Sequence, residues 1–307
     1  MFHSNQTAVD RFILLGLADT PLLKVICVLI FLTIYILTLS GNFLLILAVR
    51  INSRLHTPMY YFLTNLSVID IGFSSYTVPK LLITTLAQDK SVSLMKCATE
   101  LSLGLVLGAT EFMILAVMSY DRYVAICKPL HYSRIMSKGF CISMAAASWI
   151  IAFVLSVAFT TSTFQLRYCS SFVNHFFCEI PPLLRLSCED PWINEVTTNL
   201  SAGMVTSCSF FFTLISYMYI ISAILRITST EGRLKVFFTC ASHLTVVIIF
   251  YSSILLMYLR PRSRYFTKID RSLSIFYAVL TPVLNPIIYS VRNKDVKTTL
   301  KKKLILA

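Results

Sequence analysis

Apolar residues collect in seven long runs, at about 23–49, 59–87, 97–127, 140–163, 196–225, 234–259 and 272–291. Polar, charged or proline-containing stretches separate them. Each run reaches the roughly 20 apolar residues that a helix needs to cross the hydrocarbon of a bilayer. In lipid a backbone N–H or C=O finds no water, so runs of this kind predict helices that satisfy their own backbone. The expected fold class is an all-α membrane protein, a seven-transmembrane helix bundle over 23–291. An N-terminal tail (1–22) and a cytosolic tail (292–307) flank it, and seven crossings put the termini on opposite sides.

Composition agrees: the chain is 56% apolar and 13% charged, with mean hydropathy +0.75, which excludes an ordinary soluble domain. Basic residues set the orientation. Segments 50–57, 122–138, 226–235 and 292–307 hold 15 Lys/Arg against 11 on the opposite side, so the C-terminus is expected in the cytosol and the N-terminus outside. The net charge of +13 is spread over loops. Lys301–Lys303 suit anionic inner-leaflet lipid better than nucleic acid. Phe12–Leu17 is too short for a cleavable signal core, so the first helix is expected to be its own anchor. Asp295–Leu306 reads as a short amphipathic helix lying on the inner leaflet.

Several residues inside this apolar pattern carry chemistry. Asp121 and Arg122 fall on the last turns of the third run, and Asp70 and Glu111 lie near mid-membrane. Charges at such depth are costly and mark function. Two carboxylates there must share a proton, a cation or a polar cluster. As an enzyme pair they would need a water-filled cleft and a substrate path, and nothing else in the chain supplies one. No HExxH or GxSxG occurs, and Pro79, Pro282 and Pro286 lack the repeat symmetry of a secondary transporter. Asn42, after Gly41, must bond to other helices; Pro286 frees a backbone carbonyl that Asn285 can satisfy. Trp149 reads as packing.

Five cysteines (27, 127, 141, 208, 240) read as small helix residues, while Cys97, Cys169, Cys178 and Cys188 fall outside, where three pairings are open. His175-Phe-Phe-Cys178-Glu179 has metal-like spacing but reads as a loop histidine beside a disulfide. The long segment 163–195 is expected to form a lid over the external mouth. Asn5-Gln6-Thr7 is a glycosylation sequon on the external tail, whereas those at Asn65 and Asn199 fall in helices.

MSYDRYVAIC (118–127) resembles the end of the third helix of rhodopsin-like G-protein-coupled receptors, in the form used by odorant receptors. LHTPMYYFLTNLSVIDIGFSSYTVPKLL (55–82), LKVFFTCASHL (234–244) and PVLNPIIYSVRN (282–293) resemble odorant receptors in particular. Tyr61 and Gly72 depart from the usual Phe and Cys, and Phe250-Tyr251 replaces the Trp of most rhodopsin-like receptors. The resemblance runs from Gly41 to Asn293, and the short third external loop is similar to the tetrapod-type second class.

The resemblance implies an odorant receptor that binds small volatiles and activates a stimulatory, olfactory-type G protein to raise cAMP. Its membrane would be that of olfactory cilia, reached with trafficking chaperones. It implies no catalysis and no nucleic-acid partner. A non-olfactory chemosensor of the same fold is the alternative. Asp121, Arg122, Tyr123, Tyr217, His243, Asn285, Pro286 and Tyr289 match the coupling and activation positions, with Asp121 restraining Arg122. Asp70 matches the sodium-site acid, with Asn42, Glu111 and Asn285 completing the cluster and a sodium ion as the one candidate cofactor. The implied disulfides are Cys97–Cys178 and Cys169–Cys188, with Cys97–Cys188 as the competing pairing.

The ligand is then expected in the outer half of the bundle. Counting back from Arg122 by helical turns puts Leu101, Gly104, Leu105, Gly108, Ala109 and Phe112 on one broad face. Ala202, Val205, Thr206, Tyr251, Ile254, Leu255, Tyr258 and Ala278 face them. Such a lining suits a small volatile held by burial, with a few hydroxyls for orientation. Gly104 stands where aminergic receptors place an Asp, and the seventh run has no Lys for a retinal Schiff base. Glu100 reads as a wet carboxylate at a helix end.

Overall fold

The computed structural model describes residues 9–17, 20–258, 275, 279 and 281–292, apart from the side chains of 235, 238, 239, 242, 253–258 and 289–292. The long helices are α1 (Pro21–Ile51), α2 (Pro58–Leu86), α3 (Leu94–Cys127), α4 (Lys138–Phe164), α5 (Trp192–Leu225), α6 (Thr230–Tyr258) and α7 (Thr281–Arg292). Of these, α1 to α5 are each long and apolar enough to cross a membrane, and α6 contains the apolar stretch His243–Ser252.

Helices α1 to α6 start one to four residues before the apolar runs, because polar caps sit outside the lipid-soluble sequence. Ser93 accepts from the Lys96 N–H at the start of α3, and Ser137 does the same for Phe140 at the start of α4. Asp190 accepts from the Trp192 N–H where α5 begins. Pro21 and Pro58 occupy first-turn positions in α1 and α2, where a missing N–H costs nothing.

The faces of α4 show the inverted polarity of a bilayer solvent. Cys141, Ala145, Ser148, Ala152 and Ser156 point inward and are buried, while Ile150, Ile151, Phe153 and Val154 are exposed. Small inward residues let helices approach closely, and van der Waals contact then holds them. Ser156 donates to the Ser102 carbonyl at 2.7 Å, joining α4 to α3. A Cβ on Gly41 would stand 3.1 Å from Pro286 Cγ, so glycine lets α1 lie against α7. Trp149 does more than pack: its indole N–H donates to Asn65 Oδ1 at 3.2 Å, joining α4 to α2.

The N-terminal tail is not featureless. Arg11–Leu14 forms β1, the central strand of a three-stranded sheet with β2 (Ser91–Ser93) and β3 (Phe172–Val173). β1 runs antiparallel to β2, with Phe12 opposite Val92, and parallel to β3, with Leu14 opposite Val173. Exposure alternates along β1, so Phe12 and Leu14 enter an apolar cluster with Leu101, Val173 and Leu183. Two disulfides, Cys97–Cys178 and Cys169–Cys188, fasten 163–195 to α3 and to itself. They follow the pairing that the resemblance implies. At the approach to β2, the Ser91 N–H and hydroxyl bond to Asp89 and hold its carboxyl below the usual range.

Asn5, Ala278, most of the predicted run 272–280 and the amphipathic tail after Arg292 lie outside the described residues.

Candidate functional site

At the cytosolic end of α3, Asp121 is fully buried and Arg122 lies beside it. The pair is loose, with Arg122 Nε 3.9 Å from Asp121 Oδ2. The closer partner of the carboxylate is Tyr132, whose hydroxyl donates to Asp121 Oδ1 at 2.8 Å. Tyr132 belongs to the helical turn Tyr132–Ile135 that follows the Pro129–His131 turn. Burial, with the Asp121 charge beside it, holds that phenol above its ordinary range and keeps it a donor. Tyr123 stacks obliquely on Tyr120 and Tyr219, and the Lys128 ammonium sits 5.7 Å from its ring centroid.

Across from Arg122, Tyr217 on α5 and His243 on α6 share a hydrogen bond at 2.6 Å, their rings nearly parallel. Tyr217, Ile220, Ile224 and Cys240 form an apolar cluster that also takes in Tyr123 and Ile126. The cytosolic half of α6 is thereby held against α5 and α3.

In the middle of the bundle, the Asn285 amide donates to both oxygens of Asp70, at 3.1 and 3.0 Å. Asn42 donates to the carbonyls of Thr38 and Pro282, tying α1 to α7. Its Oδ1 is buried and makes no hydrogen bond among the described residues. Glu111 is buried on α3, near enough to Asp70 for the two carboxyl groups to interact. The four predicted residues therefore fall in one region. The carboxylates of Asp70 and Glu111 and the Oδ1 of Asn42 are oxygens of the kind a hard cation such as sodium takes, whereas Asn285 presents its amide N–H groups to Asp70. Among the described residues no group of three His, Cys, Asp or Glu could hold a metal ion. The backbone of α7 around Pro286 is helical, while the side chain of Tyr289 lies outside the described residues.

The outer half contains the predicted ligand face. On α3, Gly104, Leu105, Gly108, Ala109 and Phe112 are half-buried, whereas Leu101 is buried beneath the external sheet. On α5, Ala202, Val205 and Thr206 are half-buried and lead down to buried Ser209. Phe112 meets Phe250 edge-on with centroids 4.7 Å apart and lies 6.0 Å from Tyr251. Tyr251 shares a 2.6 Å hydrogen bond with Ser209. The side chains of Ile254, Leu255 and Tyr258 lie outside the described residues. The space at Gly104 is not empty: the Tyr76 hydroxyl is 2.7 Å from where a Cβ would stand.

The rim holds groups that periodicity does not single out. Lys80 on α2 donates to Glu100 on α3 at 3.0 Å, and neither side chain is more than 15% exposed. The wet carboxylate expected at Glu100 is thus a half-buried ion-pair partner. His175 is buried with Nδ1 3.2 Å from the Phe177 N–H, and its Nε2 is 3.7 Å from Glu179. Cys178 beside it is in a disulfide and supplies no thiolate.

Residues 31–306 match the profile of a family described as olfactory receptor. The chain is 45% identical to olfactory receptor 5AR1 of Mus musculus, over 98% of each chain. It is 45% identical to olfactory receptor 5AR1 of Homo sapiens, again over 98% of each. Against olfactory receptor 2F1 of Homo sapiens it is 47% identical, over 99% of this chain and 96% of that one.

Proposed function

The chain belongs to the olfactory receptor family, and on that premise we propose that it couples an odorant in the outer bundle to a stimulatory, olfactory-type G protein that raises cAMP. Membership makes it a multi-pass plasma-membrane receptor for odorants and not an enzyme. Delivery to ciliary membrane with the help of trafficking chaperones is part of the same proposal.

One observation supports the coupling best. Ser209–Tyr251 and Tyr217–His243 are two hydrogen bonds between the same pair of helices, both 2.6 Å long. On each helix their positions differ by two turns, about 12 Å along the axis. The outer bond lies against Phe112 in the ligand face, and the inner one lies across from Arg122. An odorant that moves Tyr251 changes the packing of α6 on α5, and α6 carries that change to Arg122. The ligand need only favour the arrangement in which the cytosolic half of α6 has moved away. Sodium, where present, would sit with Asp70, Glu111 and the Asn42 Oδ1 and supply positive charge that favours the closed packing. Lys128, Arg134, Lys138, Arg233 and Lys235 are basic groups on the same side as the coupling surface.

Cells displaying the chain with an olfactory G protein and a cAMP reporter, screened with volatiles, test this. Dose-dependent cAMP that disappears in Arg122→Ala at equal surface display is the expected result. Responses that survive Arg122→Ala, or silence to every volatile at good display, count against it.

A further inference from the structure

The shortest ion pair among the described residues is Lys80–Glu100, at 3.0 Å. It does not lie at the water boundary. Lys80 is six residues inside the external end of α2, and Glu100 is six inside the external end of α3. At 1.5 Å per residue that is about 9 Å along each helix. The side chains are 10% and 15% exposed.

The pair is the upper rung of a two-rung arrangement. One turn further in on α2 stands Tyr76, and one turn further in on α3 stands Gly104. The Tyr76 hydroxyl fills the space a side chain at Gly104 would need. The charges of Glu100 and Glu179 both reach that hydroxyl. Glu179 belongs to the lid, next to Cys178, whose disulfide to Cys97 anchors it on α3. Glu100, Gly104, Gly108 and Phe112 are four residues apart in succession, a single row along α3. The polar rungs therefore continue directly into the apolar face that ends at Phe112 and Tyr251.

Stability does not account for an ion pair here. Burying it costs hydration on both groups, and apolar residues of similar volume commonly do as well or better. We propose that Lys80, Glu100 and Tyr76 form the polar end of the odorant site and select volatiles that carry a hydroxyl. This rests on the odorant-receptor reading above. An alcohol or phenol oxygen accepts from the Lys80 ammonium while its O–H donates to Glu100, and Tyr76 orients it from below. A ketone or ester leaves Glu100 without the second bond. A carboxylate meets the negative charges of Glu100 and Glu179. An alkane leaves the charged pair dehydrated with no compensation. The tail lies along Gly108 towards Phe112.

The test uses volatiles of one chain length that differ in the head group: primary alcohol, ketone, carboxylic acid and alkane. Two readouts run in parallel on the full chain. One is cAMP in cells; the other is the melting temperature of purified receptor, which needs no G protein. The alcohol is expected to act at the lowest concentration and to raise the melting temperature most. Glu100→Gln is expected to weaken the alcohol about tenfold, the loss of one charge-assisted hydrogen bond, and to leave the ketone within about threefold, whereas Lys80→Met, which removes the donor that both head groups use, should weaken both about tenfold. The exchange Lys80→Glu with Glu100→Lys keeps the pair and should recover surface display and part of the alcohol response. Tyr76→Phe, which removes one oxygen only, serves if the charge variants fold poorly; it should narrow the gap between alcohol and ketone. A head-group order unchanged in Glu100→Gln and Tyr76→Phe would overturn the proposal and leave the pair a structural brace. Alcohol that stabilises the purified receptor without raising cAMP would instead overturn the stimulatory coupling. A receptor that no alcohol stabilises overturns the subsite.

Discussion

Tyr132 controls Asp121 more closely than Arg122 does, because its hydroxyl is at 2.8 Å and the guanidinium Nε is at 3.9 Å. Removing it leaves a buried carboxylate oxygen unsatisfied, a cost of about 1–3 kcal/mol. That penalty falls on the closed packing, so Tyr132→Phe should raise basal cAMP several-fold at unchanged surface display. Basal signal equal to wild type would mean that Asp121 finds another donor at no cost. Asp70 has the same dependence on Asn285, which donates to both its oxygens. Asn285→Ala should lower the melting temperature of the purified receptor, and exchanging the two residues (Asp70→Asn with Asn285→Asp) should restore most of it. A melting temperature unmoved by Asn285→Ala would show that Asp70 draws its support from elsewhere. Asp70, Glu111 and Asp121 are legible in the sequence, since any charge within an apolar run stands out. Their partners are less so. Tyr132 lies eleven residues beyond Asp121 across a turn, and Trp149 bonds to an asparagine in another helix, so no periodicity connects them.

At the level of elements, two side-chain hydrogen bonds join α5 and α6 among the described residues, alongside the apolar cluster of Tyr217, Ile220, Ile224 and Cys240. If they act as one hinge, their effects are coupled. Ser209→Ala and Tyr251→Phe each break the outer bond, so the double variant should shift the odorant EC50 no further than either alone. Breaking the inner bond with Tyr217→Phe should change basal and maximal cAMP with little effect on EC50. Additive shifts from Ser209→Ala and Tyr251→Phe would show that each side chain touches the ligand separately. The helices themselves are read easily from apolar run length, and their C-terminal ends agree with the runs to within two residues for α1 to α6. Their starts are placed late, because Ser93, Ser137 and Asp190 extend the helix into polar sequence. On α3 the face count is informative from Gly104 to Phe112 but carries Leu101 into the pocket, whereas the external sheet covers it. Lys80 and Tyr76 escape the count because they lie on the facing helix.

Over the whole molecule, the external surface is a layer that the N-terminal segment completes. β1 is the middle strand, and without it β2 and β3 have no sheet partner in common. Phe12 is fully buried, its ring edge-on to Tyr168 at 5.0 Å and packed with Leu101 on α3 and the Cys97–Cys178 region of the lid. The sequence shows only RFIL, four residues whose alternation is too short to announce a strand, and no local signal connects them with 91–93 and 172–173. The contact is made by tertiary packing around two disulfides. Phe12→Ala should therefore cost about 3–5 kcal/mol, the range for emptying a buried aromatic site. Ile13 points outward from the same strand, so Ile13→Ala should change little. Cys178→Ser releases the lid from α3 and should lower surface display as far as Cys97→Ser does, with the double variant no worse. Surface display and melting temperature, measured for the five variants together, check this. Equal behaviour of Phe12→Ala and Ile13→Ala would mean that the strand is dispensable and that the disulfides alone hold the lid. A large loss in Phe12→Ala with little in Ile13→Ala would make the N-terminal strand part of the roof over the odorant site.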